Sequence, residues 1–383
     1  MHYLDHNATS PLRPEARVAM ERVLGGNPSS VHAAGRSARA LTEEARESVA
    51  TLAGARVQDV IFTSGGTQAN WLALSGALYG ALDIEARITR LFVCAIEHDS
   101  ILANANALAE RVPGLRVDLL PVTQDGVIDL EALRVALREG KGRTLVAVMA
   151  ANNETGVLQP IEKVSALAKD AGALLLVDAV QAAGKIALDG ICAVADYLTL
   201  SAHKIGGPQG AGALIVKDSV PFSAQVLGGG QEKSRHAGTE NVSGIAGFGA
   251  AAMAASRDLP KAIAALRDDF ESELLRLAPD AVVFGSDAPR LANTSNFALP
   301  GISAETAVMA LDLDGVCISS GAACSSGKVR PSHVLKAMGV SEGLARSALR
   351  VSFGWNSTEQ DAHAAIAALG KLAARHRARV AAE

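Results

Sequence analysis

Leu174-Leu175-Leu176-Val177-Asp178-Ala179-Val180-Gln181 is a run of four apolar residues closed by a carboxylate. An unbroken apolar run this short, without polar alternation, fits a strand covered on both faces. The same pattern recurs on either side, separated by helical periodicity. Val60–Thr63, Leu91–Ile96, Val117–Pro121, Leu145–Ala150, Tyr197–Leu200 and Ala213–Val216 read as strands. Gln68–Leu82, Ser100–Glu110, Leu130–Arg138 and Ile161–Ala171 read as helices between them. Strands alternating with amphipathic helices predict an α/β fold built on a mainly parallel sheet.

Beyond Val216 the pattern changes. Residues 217–238 are loop-rich and contain Gly228-Gly229-Gly230. A helical stretch from Val242 to Leu277 breaks at Asp258-Leu259-Pro260. Short strands at Val282–Phe284, Thr294–Ala298 and Arg350–Ser352 then mix with helices at Ala304–Leu311 and Glu359–Ala373. This predicts a large unit over residues 15–257 and a smaller one formed by 1–14 with 258–383.

Composition narrows the function. The 383 residues carry a net charge of −4, which offers no general attraction for nucleic acid. No apolar run reaches the length of a membrane span, and Met1–His6 lacks the basic-then-apolar order of a secretory signal. Four cysteines with no C-x-x-C pair exclude a disulfide scaffold and speak against structural zinc. A soluble, cytoplasmic, globular protein is the expectation.

The residues with chemical potential stand at the ends of the strands, where open α/β sheets bind ligands. Lys204, in Ser201-Ala202-His203-Lys204, precedes the glycine turn Gly206-Gly207. Such a lysine can form a Schiff base when its amine is partly deprotonated, although an exposed loop lysine has the same local sequence. Asp178 is either a helix cap or a buried carboxylate paired with a cation such as a pyridinium nitrogen. Thr63-Ser64-Gly65-Gly66-Thr67-Gln68 joins a strand to a helix and suits a phosphate, or simple capping. His98 can stack on a flat ring and move protons, or be an idle loop residue. Asn152-Asn153-Glu154-Thr155-Gly156 could equally be a plain turn. Cys324 lies among small polar residues, as an exposed reactive thiol or a chance surface cysteine. Cys94, Cys192 and Cys317 lie in apolar stretches and read as inert.

Taken in order, these segments resemble the NifS/IscS group of cysteine desulfurases, within the class V aminotransferases. Tyr3-Leu4-Asp5-His6-Asn7-Ala8-Thr9, Asn27–His32, the Thr67 loop, Glu97-His98, Asn152-Asn153-Glu154, Asp178–Gln181, Ser201–Lys204, Ala237-Gly238-Thr239, the Cys324 loop and Arg350 carry the likeness along nearly the whole chain. The resemblance implies a fold type I PLP-dependent transferase: a large domain with a mainly parallel seven-stranded sheet and a smaller α+β domain. It implies that Lys204 bonds pyridoxal 5'-phosphate (PLP), Asp178 pairs with the ring nitrogen, Gln181 meets the ring hydroxyl and His98 stacks on the ring. Gly66, Thr67, Ser201 and His203 would hold the phosphate, with Thr239 arriving from the second copy of a homodimer. Asn7, Asn153 and Arg350 would take the substrate carboxylate, Asn153 lying beside the cofactor as well. Cys324 would take the sulfur of L-cysteine as a persulfide and pass it to an iron–sulfur scaffold or another sulfur acceptor. Cys324 is also the one metal-ligand candidate, as a transient iron–sulfur ligand.

The sequence departs from the group at Gly65-Gly66-Thr67-Gln68-Ala69-Asn70, at Ala322 and at Phe353-Gly354-Trp355-Asn356. A selenocysteine lyase or related PLP lyase on the same fold is the alternative activity.

Overall fold

The computed structural model describes residues 1–80, 87–139, 142–258, 260–321 and 331–382. The strands are β1 (His2–Tyr3), β2 (Val60–Thr63), β3 (Ile88–Cys94), β4 (Arg116–Leu120), β5 (Arg143–Met149), β6 (Leu174–Asp178), β7 (Tyr197–Ser201), β8 (Gly212–Val216), β9 (Val282–Val283), β10 (Thr294–Ala298), β11 (Val316–Cys317), β12 (Ser319–Ser320) and β13 (Ala348–Ser352).

Seven of them form one sheet in the order β2-β8-β7-β6-β5-β3-β4. All neighbours are parallel except those of β8, which runs against β2 and β7. The mainly parallel sheet expected from the apolar runs is therefore present. The central strands β6, β7 and β8 are buried along their whole length. Because β8 alone is reversed, the C-terminal ends of β2, β3, β5, β6 and β7 all open on one edge of the sheet. The chain also changes direction there, since β4 lies on one side of β3 and β5 on the other. That edge is where an open α/β sheet leaves a crevice.

The core is aliphatic, as the 3% aromatic content requires. Small residues allow close helix contact. A Cβ on Gly249, in the helix Val242–Ala255, would lie 2.5 Å from Ala45 Cα in the helix Ala33–Ala53. Against this face Arg46 donates to both Glu232 carboxylate oxygens, at 2.7 and 2.8 Å, and lies over the Phe62 ring. The pair fixes a turn in which Glu232, Lys233 and Ser234 all have positive φ. Such backbone persists only where its surroundings hold it.

The remaining strands form a second layer. β12-β13-β10-β9 is antiparallel, and β1 pairs with β11. Leu4 packs with Phe270, Phe297 and Phe353, whose rings meet at 5.6 and 6.1 Å. The longer helices are Pro260–Leu277, Ala304–Leu313 and Glu359–Ala382, the last longer than its sequence pattern indicates. Among the described residues no helix is long and apolar enough to cross a membrane.

Candidate active site

The sheet edge and the second layer enclose a cavity of about 460 Å³. Asn7, Gly66, Thr67, His98, Asn153, Asp178, Gln181, Ser201, His203, Lys204 and Arg350 all line it. Thr239 does not; it is exposed after the turn at Gln231–Ser234. Cys324 lies outside the described residues.

Each side chain is placed by its strand. β7 ends at Ser201 and passes into a single 3-10 turn, Ala202–Lys204. The Lys204 ammonium donates to the carbonyls of Asn7 (2.6 Å) and Ala8 (2.8 Å). Asp178 ends β6, the neighbouring strand. Its Oδ1 accepts from the Val180 N–H at 3.0 Å and its Oδ2 from Asn70 Nδ2 at 2.8 Å. No helix starts there, so Asp178 caps only a turn and keeps its carboxylate at the cavity.

His98 follows β3, which ends at Cys94, two residues short of the expected Ile96, because the Glu97 N–H turns back to the Cys94 carbonyl. His98 caps the helix Asp99–Arg111, its Nδ1 accepting from the Ser100 N–H at 3.1 Å. That bond leaves the ring proton on Nε2. Burial lowers the imidazole pKa; the Asp178 charge opposes this and Lys204 adds to it. Burial likewise takes His203 down to about 4, with Lys204 contributing, so that ring is neutral near pH 7.

Three N–H groups face the opposite end. Gly65, at φ +150°, caps the helix Gly66–Tyr79, and the first intrahelical bond is that of Ala69 to Gly65. The N–H groups of Gly66, Thr67 and Gln68 therefore have no helical partner. The Ser201 hydroxyl beside them is buried and also unpartnered. A Cβ on Gly66 would lie 3.4 Å from Ser201 Cβ and 3.0 Å from Val180 Cγ2, filling the cradle. Unused donors at a helix N-terminus are what a phosphate needs.

Arg350, on β13, is fully buried. Its Nη1 donates to the Asn153 carbonyl (2.9 Å), its Nη2 to Asp5 Oδ1 (2.6 Å), and its Nε has no protein partner. Asn153 follows β5 in a turn held by Asn152 Oδ1, which accepts from the N–H groups of Glu154 and Thr155. Asn7 binds across the seam, donating from Nδ2 to Thr294 Oγ1 at 2.8 Å and to the Asn153 carbonyl at 3.2 Å.

Sequence reasoning missed several supporting groups. Asn70 donates to both Asp178 and Ser100 and accepts from Thr199, so one chain of hydrogen bonds joins His98 to Asp178. Its signal was an amide past the first turn of a largely apolar helix that begins at Gly66. Lys185 and Asp5 also went unnoticed. Cys94 and Cys192 are buried, whereas Cys317 is only half-buried.

Glu97 is a buried neighbour of this network. One oxygen accepts from the Met149 N–H at 2.5 Å and the other is unpartnered. Burial, and then the Asp178 charge, raise its pKa well above 4.5. An acid raised on folding contributes stability below its unfolded pKa and loses it as pH climbs toward the folded value. Glu97→Gln keeps the acceptor and removes the titration. Its melting temperature relative to wild type should therefore rise as pH increases from about 4.5. Thermal melts across pH 5–9 check this, and a flat or falling difference would show that Glu97 is ionised in the fold.

The geometry fits PLP: a lysine amine, a carboxylate for the ring nitrogen, a histidine ring, and unused donors for a phosphate. The family pattern of Aminotransferase class-V matches residues 2–364. The IscS-like cysteine desulfurase of Mycobacterium tuberculosis is 40% identical over 98% of this chain and 97% of its own length. The cysteine desulfurase of Cereibacter sphaeroides is 43% identical over 94% and 92%. The crystal structure of a NifS-like protein from Rickettsia africae superposes with a TM-score of 0.87 at 34% identity, covering 97% of this chain and 99% of that one. Sequence pattern, full-length likeness and cavity chemistry agree, and the chain belongs to the PLP-dependent class V aminotransferase family, in its NifS/IscS group.

Proposed function

We propose that this protein is a cysteine desulfurase that takes sulfur from L-cysteine, releases L-alanine and holds the sulfur as a persulfide on Cys324. The observation that carries this reading is the convergence of Lys204, Asp178, His98 and Arg350 on one cavity with unused phosphate donors at its far end.

Bound PLP supplies an electron sink for negative charge developing on the substrate carbons. Lys204 bonds it, Asp178 accepts the ring N–H and keeps that nitrogen protonated, and Gln181 meets the ring hydroxyl. The N–H groups of Gly66 and Thr67, with Ser201 and His203, hold the phosphate. Arg350 and Asn153 orient the substrate carboxylate, with Asn7 alongside. Lys204 Nζ and His98 Nε2 move protons at the substrate carbons. The Cys324 thiolate attacks the substrate sulfur: an S–S bond forms, the C–S bond breaks, and the electron pair left on carbon takes a proton to give alanine.

The same reading makes the protein a cytoplasmic homodimer in which Thr239 reaches the partner's phosphate. The acceptor is an iron–sulfur scaffold or another sulfur-carrying protein, with Cys324 as the transient cluster ligand. Incubation of the holoenzyme with L-cysteine should yield alanine and protein-bound persulfide in equal amounts on the first turnover. Pyruvate and free sulfide without persulfide would overturn the reading.

Asp178→Asn should keep PLP and lose about 10²–10³-fold in kcat, since a preorganised charge of this kind is worth ~3–4 kcal/mol. Steady-state alanine release measures it. Activity within twofold of wild type would reduce Asp178 to a turn cap.

A further inference from the structure

A second cavity, of about 250 Å³, meets the first at Lys204, which lines both. Its wall includes His6, Arg13, Lys185, Asn293 and Trp355. Lys185 is a half-buried amine outside the machinery described so far. It donates to the Gln181 carbonyl (3.0 Å), to Gln181 Oε1 (3.0 Å) and to Asn7 Oδ1 (3.4 Å). All three acceptors are neutral. The first two bonds fix the Gln181 amide, so that its Nε2 donates to the Asn7 carbonyl at 2.9 Å. That carbonyl is the same one that accepts from Lys204. Two lysines thus grip one asparagine, Lys204 by its backbone and Lys185 by its side chain.

We propose that Lys185 is a positioning residue for Lys204: it pins Gln181 and Asn7, and as a second cation in the same pocket it disfavours a proton on the Lys204 nitrogen. The inference rests on the reading of Lys204 as the PLP lysine. A lysine nitrogen acts as nucleophile or base only with its lone pair free. Burial takes Lys185 down to about 7, with repulsion from Lys204 and then Arg350 contributing. Repulsion between two amines is mutual, so a charge on Lys185 opposes a charge on Lys204. With Lys204 uncharged that repulsion vanishes, which favours the proton on Lys185, while burial still opposes it. The other charged or titratable groups around Lys185 do not cancel the effect. Arg350 adds positive charge and is paired with Asp5. His6 is neutral, its pKa taken to about 4 by burial and by Lys185. Across the cavity Arg13 and Asp258 are paired with each other.

The test is a pH titration of the cofactor chromophore in holoenzyme carrying Lys185→Met, Lys185→Gln or Lys185→Arg. The neutral variants should move the midpoint up by about one pH unit, a usual size for one nearby charge. Lys185→Arg keeps the charge and should stay within about 0.3 unit of wild type. A purely structural role would move all three alike. Lys185→Gln retains a polar end, so the comparison survives if Lys185→Met fails to fold. The inference is overturned if the neutral variants titrate with wild type, or if Lys185→Arg shifts as far as they do. Borohydride fixation of the chromophore on Lys204 alongside such a result would leave the reading of the site intact. A wild type without a Lys204-linked chromophore would overturn both.

Discussion

Lys204→Ala abolishes turnover and leaves PLP unattached, with a loss of at least about 10³-fold. Two contributions disappear together: the covalent tether, and a general acid–base group that alone supplies roughly 10²–10⁴-fold. Asn7 and Ala8 lose a donor to their carbonyls, but the phosphate cradle and the Asp178 carboxylate do not bond to this side chain. The N–H groups of Gly66 and Thr67 and the carboxylate of Asp178 are set by their own strands and helices. The variant should therefore still bind PLP reversibly. Borohydride reduction of the wild type followed by peptide mapping provides the check. The label belongs on Lys204, and the informative failure is a label on Lys185, a second amine close to the site among the described residues. Reduction onto Lys185 would exchange the roles of the two lysines.

Cys324→Ala has an equally large effect on a different part of the chemistry. This variant should bind PLP through Lys204 and show a spectral response to L-cysteine, yet make no persulfide. The Cys324 assignment comes from its sequence surroundings, and the placement of the other three thiols strengthens it by elimination. Cys94 and Cys192 are buried in the core, and Cys317 lies on β11; none lines the cavity. Burial pushes all three thiols up, so little thiolate exists near pH 7. Intact-mass spectrometry after brief exposure to L-cysteine should show one added sulfur on wild type, about 32 Da, held in a sulfur–sulfur bond. It should map to the Cys324 peptide. Alanine release by the variant at the wild-type rate, or sulfur on Cys94, Cys192 or Cys317, would remove Cys324 as the nucleophile.

The sheet was legible because its central strands are buried on both faces, which forces short, unbroken apolar runs such as Leu174–Val177. The site residues at strand ends were legible for the same reason: Asp178 and Lys204 interrupt or closely follow those runs. Their supports were not. The bond of Asn70 to Asp178 spans 108 positions, and that of Arg350 to Asp5 spans 345. No local pattern encodes such partners. Protonation states were hidden too, since Glu97 looks like any acidic residue until its burial is known. Strand limits slipped where a turn reused apolar residues, as at Ala95-Ile96.

The pocket is assembled from distant parts of the chain, and this has a consequence for its birth on the ribosome. Lys204, Asp178 and the Gly66 cradle emerge early, while Arg350 follows about 150 residues later, roughly 7–30 s at usual elongation rates. Until then the chain that forms β10 and β13 is incomplete, so the cleft lacks the layer that covers it in the finished protein. The Lys204 amine is already present, but the Arg350 guanidinium proposed to hold the substrate carboxylate is not. On the proposed roles, the timing of translation would separate the ability to capture an aldehyde from the ability to choose a substrate.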